Sequence, residues 1–314
     1  MRTTNVSAVI PTLNGGSLLE RCLDALDTAP EVDDVVVLDA GSTDGSAERA
    51  ARWARTRVLT LPGTSVQSRI NLGVAEARNE AVLLLNDDAF VDAETPRLLA
   101  GILTERPHVA LVGAGLRYED GSPQKSVGRY RTLWNETLTT LPTGRPLLSR
   151  FLRRGVPSHK SSGVERVTWL PLCCAIARRS AFLEVGGFDE RYSFYYDDHD
   201  FCRRVVDHGW ELVVRWDAGA VHVGGGATSA KDPFGWFGRY KENRLRYLQR
   251  WYPRAWRLYV PVWAARAWVH AAAWSVRALF RSLRSDADGA RSAREWARTF
   301  RQVALPLRSG RVEE

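Results

Sequence analysis

The stretch Ala81-Val82-Leu83-Leu84-Leu85-Asn86-Asp87-Asp88 decides the fold. Five consecutive apolar residues bounded by polar ones have the length of a fully buried strand. The strand stops abruptly in an amide and two carboxylates. Hard divalent cations such as Mg2+ and Mn2+ take oxygen ligands and bridge carboxylates to substrate phosphates, so this strand end is a candidate metal–diphosphate site. An ordinary polar strand end has the same composition.

Outward from it, Val6 to Ile10, Val35 to Leu38, Val58 to Leu61 and Val109 to Val112 repeat the pattern, with amphipathic stretches between them. The alternation predicts an α/β fold with a mostly parallel, Rossmann-like sheet and helices on both faces. Ligands then sit at the carboxyl ends of the strands. Residues 119–167 lose this rhythm and are rich in Gly, Pro, Ser and Arg, so a mobile insertion is expected there. A composition shift near Gly226 divides the chain into a catalytic domain, 1–226, and a basic, Trp-rich helical region, 227–314.

Three further segments carry candidate chemistry. Asp39 ends a strand and precedes the turn residues Gly41, Ser42, Asp44 and Gly45; its carboxylate can accept from a base or ribose, or it and Asp44 simply cap the next helix. Asp197-Asp198-His199-Asp200 gathers three carboxylates, whose repulsion calls for a cation or a raised pKa. On a helix Asp197 and Asp200 share a face, with Asp198 about 100° away; acids at a solvated helix N-terminus would look the same. His222 sits at a strand end before Gly224-Gly225-Gly226, where a neutral imidazole can ligate a metal or serve structure alone.

Taken in order, these segments resemble the family-2 glycosyltransferases of the GT-A nucleotide-sugar-binding fold across residues 5–226, most of all the bacterial rhamnosyltransferases. SAVIPTLNG is similar to the first strand and nucleotide loop, VVVLDAGSTDGS to the second strand with its base-binding acid, and NLGVAEA to the N-x-G-x-x-x-A segment. LLLNDDA falls at the D-x-D position, GGFDERY at the acceptor-side turn, YYDDHDFCRR at the acidic base motif and AVHVGG at the metal-binding histidine. The resemblance implies donor binding by Pro11, Thr12, Asn14, Asp39, Asn71 and Asp87. It implies a divalent cation on Asp88 and His222, with Asn86 in place of the first Asp of D-x-D. Asp198 is implied as general base, with Asp197 as the alternative, and Asp189, Glu190 and Trp169 lie on the acceptor side. The reaction implied is inverting transfer from a nucleotide diphosphate-sugar to a hydroxyl of a glycan or lipid-linked acceptor.

The net charge of +8 is uneven: residues 231–314 hold 18 Lys and Arg against 7 Asp and Glu, and seven of the twelve Trp. Such a segment points to an anionic partner surface. Beyond Pro261, Arg266, His270, Arg277, Arg281 and Arg284 fall within about 60° on a helical wheel. Trp268, Val269, Val276, Leu279, Phe280 and Leu283 fill another arc, and Trp263 and Trp274 flank the basic stripe. An Arg stripe opposite an apolar stripe predicts a helix lying in a membrane interface; packing of the apolar stripe on the catalytic domain is the competing reading. With no apolar run of signal-peptide length at the N-terminus, no spanning window of roughly 20 residues and four cysteines in no metal or disulfide framework, the expected location is cytoplasmic, peripheral on the inner face of the cell membrane. A nucleotidyltransferase would want a Gly-rich basic loop near the N-terminus, which PTLNGGSLL lacks. A nucleic-acid-binding tail would want a zinc, RRM or homeodomain signature, which the C-terminal region lacks, so no nucleic-acid partner is expected.

Overall fold

The computed structural model describes residues 4–124, 127, 128, 132, 162–193, 195–224 and 233–309. Most of the expected insertion, including 133–161, lies outside the described residues. The elements are β1 (Val6–Thr12), α1 (Gly16–Asp27), β2 (Val32–Asp39), α2 (Ser46–Ala50), β3 (Thr56–Thr60), α3 (Val66–Glu76), β4 (Ala81–Leu85), β5 (Ala89–Val91), α4 (Thr95–Glu105) and β6 (Val109–Arg117). They continue as β7 (Val164–Val167), β8 (Cys174–Arg178), α5 (Arg179–Glu184), α6 (Asp197–Asp207), β9 (Glu211–His222), α7 (Pro233–Trp251), α8 (Pro253–Leu283) and α9 (Ala287–Ser309).

The strands form one sheet in the order β3-β2-β1-β4-β8-β6-β9-β5, with β7 also on β9. The parallel pairing expected from the sequence holds across β3, β2, β1 and β4. It is interrupted by β8, which enters antiparallel between β4 and β6, while β6 and β9 pair in parallel again. The sheet is therefore mixed. β8 follows the inserted stretch in sequence and short apolar runs carry no mark of their pairing direction.

Along β4 the side chains alternate between two cores. Leu83 and Leu85 pack with α1 and α4 on one face, and Val82 and Leu84 with α3, α5 and α6 on the other. Each buried Leu contributes about 1.5–3 kcal/mol, which fixes the register and so the point where the strand ends. The four cysteines are buried and unpaired.

The chain divides into two compact units. One comprises Met1–Ser193 with Asp197–Gly224, and the other Phe194–Tyr196 with Gly225–Glu314. In the second, α8 begins at Pro253 rather than beyond Pro261 and carries Pro261 inside it. An interior proline usually costs about 3 kcal/mol; burial of Trp256, Trp263 and Ala264 on either side offsets that loss. Among the described residues no helix is long and apolar enough to cross a membrane.

Candidate active site

The strand ends β1, β2, β4 and β9 bring most of the predicted donor-side residues together. Thr12, the last residue of β1, donates through Oγ1 to Asp87 Oδ2 at 2.7 Å. Gly15 is needed here, because a Cβ on it would stand 2.6 Å from Thr12 Oγ1 and 2.9 Å from Asp87 Oδ2. Burial pushes the Asp87 carboxyl up to about 6, against the Thr12 hydrogen bond, and the Asp88 charge adds to the rise. A carboxyl raised in the folded chain favours folding at low pH, and this contribution is lost as pH rises from about 4 to about 6. Asp87→Asn, which keeps an acceptor for Thr12, should therefore stabilise the metal-free protein by about 1–2 kcal/mol at pH 8. Chemical denaturation should show the gain shrinking towards zero by pH 4.

Asp39 is 1% exposed, and its carboxylate is wrapped by its own turn. Gly41 N donates to Oδ2 at 3.0 Å, Ser42 N reaches both oxygens at 3.0 and 3.1 Å, and Ser42 Oγ donates to Oδ1. Asn14, at φ +54°, ties this turn to the first loop: its N–H donates to Ser42 Oγ at 2.8 Å and its Oδ1 accepts from Thr43 N at 2.9 Å. Asp44 does not cap α2, whose N-cap is Gly45; it closes the turn just before it, accepting from Ser46 N at 3.0 Å.

Sequence reading missed Arg69, which is 7% exposed. Its NH1 donates to the carbonyls of Thr12 at 2.7 Å and Leu38 at 3.1 Å, holding the ends of β1 and β2. Burial lowers its pKa, while the charges of Asp39 and Asp87 oppose the fall. An arginine among the apolar residues of α3 was the only signal available.

Asp88 and His222 meet across the end of the sheet, with His222 Nε2 3.3 Å from Asp88 Oδ1. Gly224 N donates to Asp88 Oδ2 at 3.2 Å, and His222 Nδ1 contacts Gln124 Oε1 at 2.8 Å. Burial works against the imidazolium, but the hydrogen bonds it donates to Asp88 and Cys173 outweigh it and hold His222 at about 10. Asp88 is lowered: burial opposes its charge, and the His222 partner overcomes that. Asn86 is fixed by its backbone, its N–H donating to Cys173 O at 2.9 Å and its carbonyl accepting from Ala89 N at 3.1 Å. Among the described residues no three His, Cys, Asp or Glu side chains form a ready metal cluster. A carboxylate paired with an imidazole suits a divalent cation that takes its remaining oxygens from diphosphate and water.

The residues expected on the acceptor side gather around α3 and α6, and Asn71, expected on the donor side, is found among them. Asn71 is committed to the turn after α5: Phe188 N donates to its Oδ1 at 2.7 Å, and its Nδ2 donates to Phe188 O at 3.0 Å and Glu190 Oε1 at 3.2 Å. Gly187, at φ +63°, could not carry a Cβ without striking Asn71 Oδ1. Ser68 Oγ donates to Glu190 Oε2 at 2.6 Å, while Asp189 takes a two-point contact from Arg191 at 3.0 and 2.8 Å. Gln67, fully buried and also missed, donates to Asp197 Oδ2 at 2.8 Å. It lies four residues before Asn71, on the same face of α3.

Within α6, Asp200 pairs with Arg204 Nε at 2.8 Å and Asp198 Oδ1 accepts from His199 N at 2.7 Å. Burial raises the Asp197 carboxyl, and Gln67 opposes the rise. Trp169 stacks on His199 with ring centroids 4.4 Å apart. Pro11 lies in β1, opposite Leu38 of β2.

A parallel half-sheet with Asp39 closing β2 and Asp87 two residues beyond β4, beside an Asp88–His222 pair, is the arrangement that the resemblance to GT-A glycosyltransferases implied. The sequence model described as "Glycosyl transferase family 2" matches residues 7–186, and the chain belongs to that family. Its relatives include the N-acetylglucosaminyl-diphospho-decaprenol L-rhamnosyltransferase of Mycobacterium tuberculosis, 28% identical over 250 residues that cover 74% of this chain and 80% of that one. The O-antigen chain rhamnosyltransferase RfbN of Salmonella typhimurium is 22% identical over 222 residues, 69% of this chain and 66% of that one. Among solved structures, the mannosyltransferase PcManGT from Pyrobaculum calidifontis in complex with GDP-Man and Mn2+ shares the fold at TM-score 0.56 and 18% identity, over 98% of this chain and 88% of that one. GalNAc-T7 with UDP, GalNAc and Mn2+ does so at TM-score 0.58 and 14% identity; the match covers 81% of this chain but only 49% of GalNAc-T7, about half its length.

Proposed function

We propose that the chain transfers a sugar, rhamnose or a related hexose, from a nucleotide diphosphate to a hydroxyl of a lipid-linked cell-envelope glycan, with inversion, on the inner surface of the membrane. The observation that carries this reading is the meeting of Asp88 with His222 beside the Thr12–Asp87 contact, at the carboxyl ends of β4, β9 and β1. The named rhamnosyltransferase relatives support the sugar class, and the decaprenol diphosphate in one name supports a lipid-linked acceptor. Nothing in the described residues favours a nucleotidyltransferase or a nucleic-acid module.

In this reading Asp39 and the Asn14–Ser42 loop hold the nucleoside, and Arg69 keeps the two loops in place. A divalent cation held by Asp88 and His222, with Asn86 adjacent, would supply charge neutralisation to the leaving diphosphate. Asp198 takes the proton of the acceptor hydroxyl as that oxygen attacks. Asn71 and Gln67 act by position, the first holding the turn that presents Asp189 and Glu190, the second orienting Asp197. Trp169, stacked on His199, offers an aromatic wall to the acceptor. A panel of UDP-, dTDP- and GDP-sugars with Mn2+ or Mg2+ tests the reading: consumption of one donor, dTDP-rhamnose first among them, is expected, and no consumption of any would overturn it.

A further inference from the structure

The long helix α8 has its apolar character inside out. Its small residues Ala264, Ala267, Ala271 and Ala278 are buried, and α9 contributes Ala290, Ala293 and Ala297. The two helices run antiparallel, since Trp274 stacks on Trp296 and His270 on Phe300. Trp256 and Trp263 are buried, while outside lie Val262, Val269, Val276, Leu279, Phe280 and Leu283, 53 to 73% exposed. Four of them recur every seventh residue, so they form one ridge along the helix. A helix packed only for a water-soluble bundle would bury these and expose the alanines.

Arginines border the ridge on both sides. Arg266, Arg277 and Arg284 lie along one edge, roughly 70–90° around from the centre of the seventh-residue ridge and so beside it, while the side opposite the ridge is occupied by the alanine seam with α9. The second row belongs to α9. Arg291, Arg294, Arg298 and Arg301 are all exposed and follow one another at three- and four-residue steps on one face. Arg301 NH2 donates to Ser275 Oγ at 2.9 Å, and Ser275 lies on the flank of α8 roughly 160° or more around from Arg266, Arg277 and Arg284. Between Pro253 and Leu283 there is no carboxylate.

We propose that this ridge, framed by two arginine rows from different helices, seats on an anionic lipid leaflet, its apolar crest at the acyl boundary and the arginines at the phosphates. The inference rests on the membrane-surface part of the proposed function and names the surface responsible. Charge complementarity selects the occupant. A second copy of the chain would bring arginine rows against arginine rows, whereas phosphatidylglycerol headgroups meet both rows at once.

Flotation of the full chain with phosphatidylglycerol-containing and pure phosphatidylcholine vesicles tests it. The wild type should float with the anionic vesicles and at least tenfold less with the neutral ones. Arg291→Gln/Arg294→Gln/Arg298→Gln, which spares the Ser275 contact, should lower anionic partitioning by about a hundredfold at low salt, less as salt screens. Val269→Ser/Val276→Ser/Leu283→Ser should lower it at least tenfold with helix content unchanged by circular dichroism. Absence of wild-type flotation, or equal flotation of all three proteins, overturns the proposal. So does a ridge variant that turns a dimer into a monomer in sedimentation while still floating. Donor consumption in solution is read separately: both variants should keep it, and a chain that floats yet consumes no donor would retain this surface and lose the transferase reading.

Discussion

Asp88→Ala is expected to abolish sugar transfer, by at least about 10²- to 10³-fold in turnover, the scale seen when a stabiliser of developing charge is removed. The side chain does two things that alanine cannot. In the proposed mechanism it offers an oxygen to a cation, and its 3.3 Å contact fixes the imidazole of His222. Titration calorimetry with Mn2+ should show cation binding lost in the variant and present in the wild type, and excess EDTA should reduce the wild type to the variant's rate. Full turnover in EDTA would remove the cation from the mechanism. Deletion of the carboxylate leaves His222 without its strongest partner, so its pKa should fall from about 10; NMR titration of the imidazole reads this without any turnover.

The second large effect concerns the acidic run. Asp198→Asn is expected to cut turnover by about 10²- to 10⁴-fold, the range for a general base, with donor binding kept. Asp197→Asn should cost much less, because an amide oxygen still accepts from Gln67 Nε2, the contact observed at 2.8 Å. The two roles are exchanged if Asp197→Asn is the dead variant. Nucleotide binding followed by fluorescence or calorimetry separates either effect from a failure to hold the donor.

Much of this was legible because it is local. An apolar run as short and complete as Ala81 to Leu85 has to be buried, and a buried strand has to end where its polar residues begin. Asp39, Asp87, Asp88 and His222 could therefore be placed at strand ends from their neighbours alone, and the seven-segment resemblance adds the family. The wheel positions of the α8 arginines were equally readable, since a helix repeats about every 3.6 residues whatever surrounds it.

Partners were not legible, because they depend on which element lies beside which. β8 between β4 and β6, antiparallel, is a choice among strands of like composition. That Asn71 grips Phe188, that Gln67 reaches Asp197 across 130 residues of sequence, and that Arg69 joins β1 to β2 follow from the packing of α3 on the sheet. Nothing in the wheel said that the alanines of α8 would face α9 and leave its valines and leucines outside. Chain periodicity determined which residues share a face and which end a strand; only the tertiary structure decided what each face meets, because burial is settled by contacts between segments far apart in sequence.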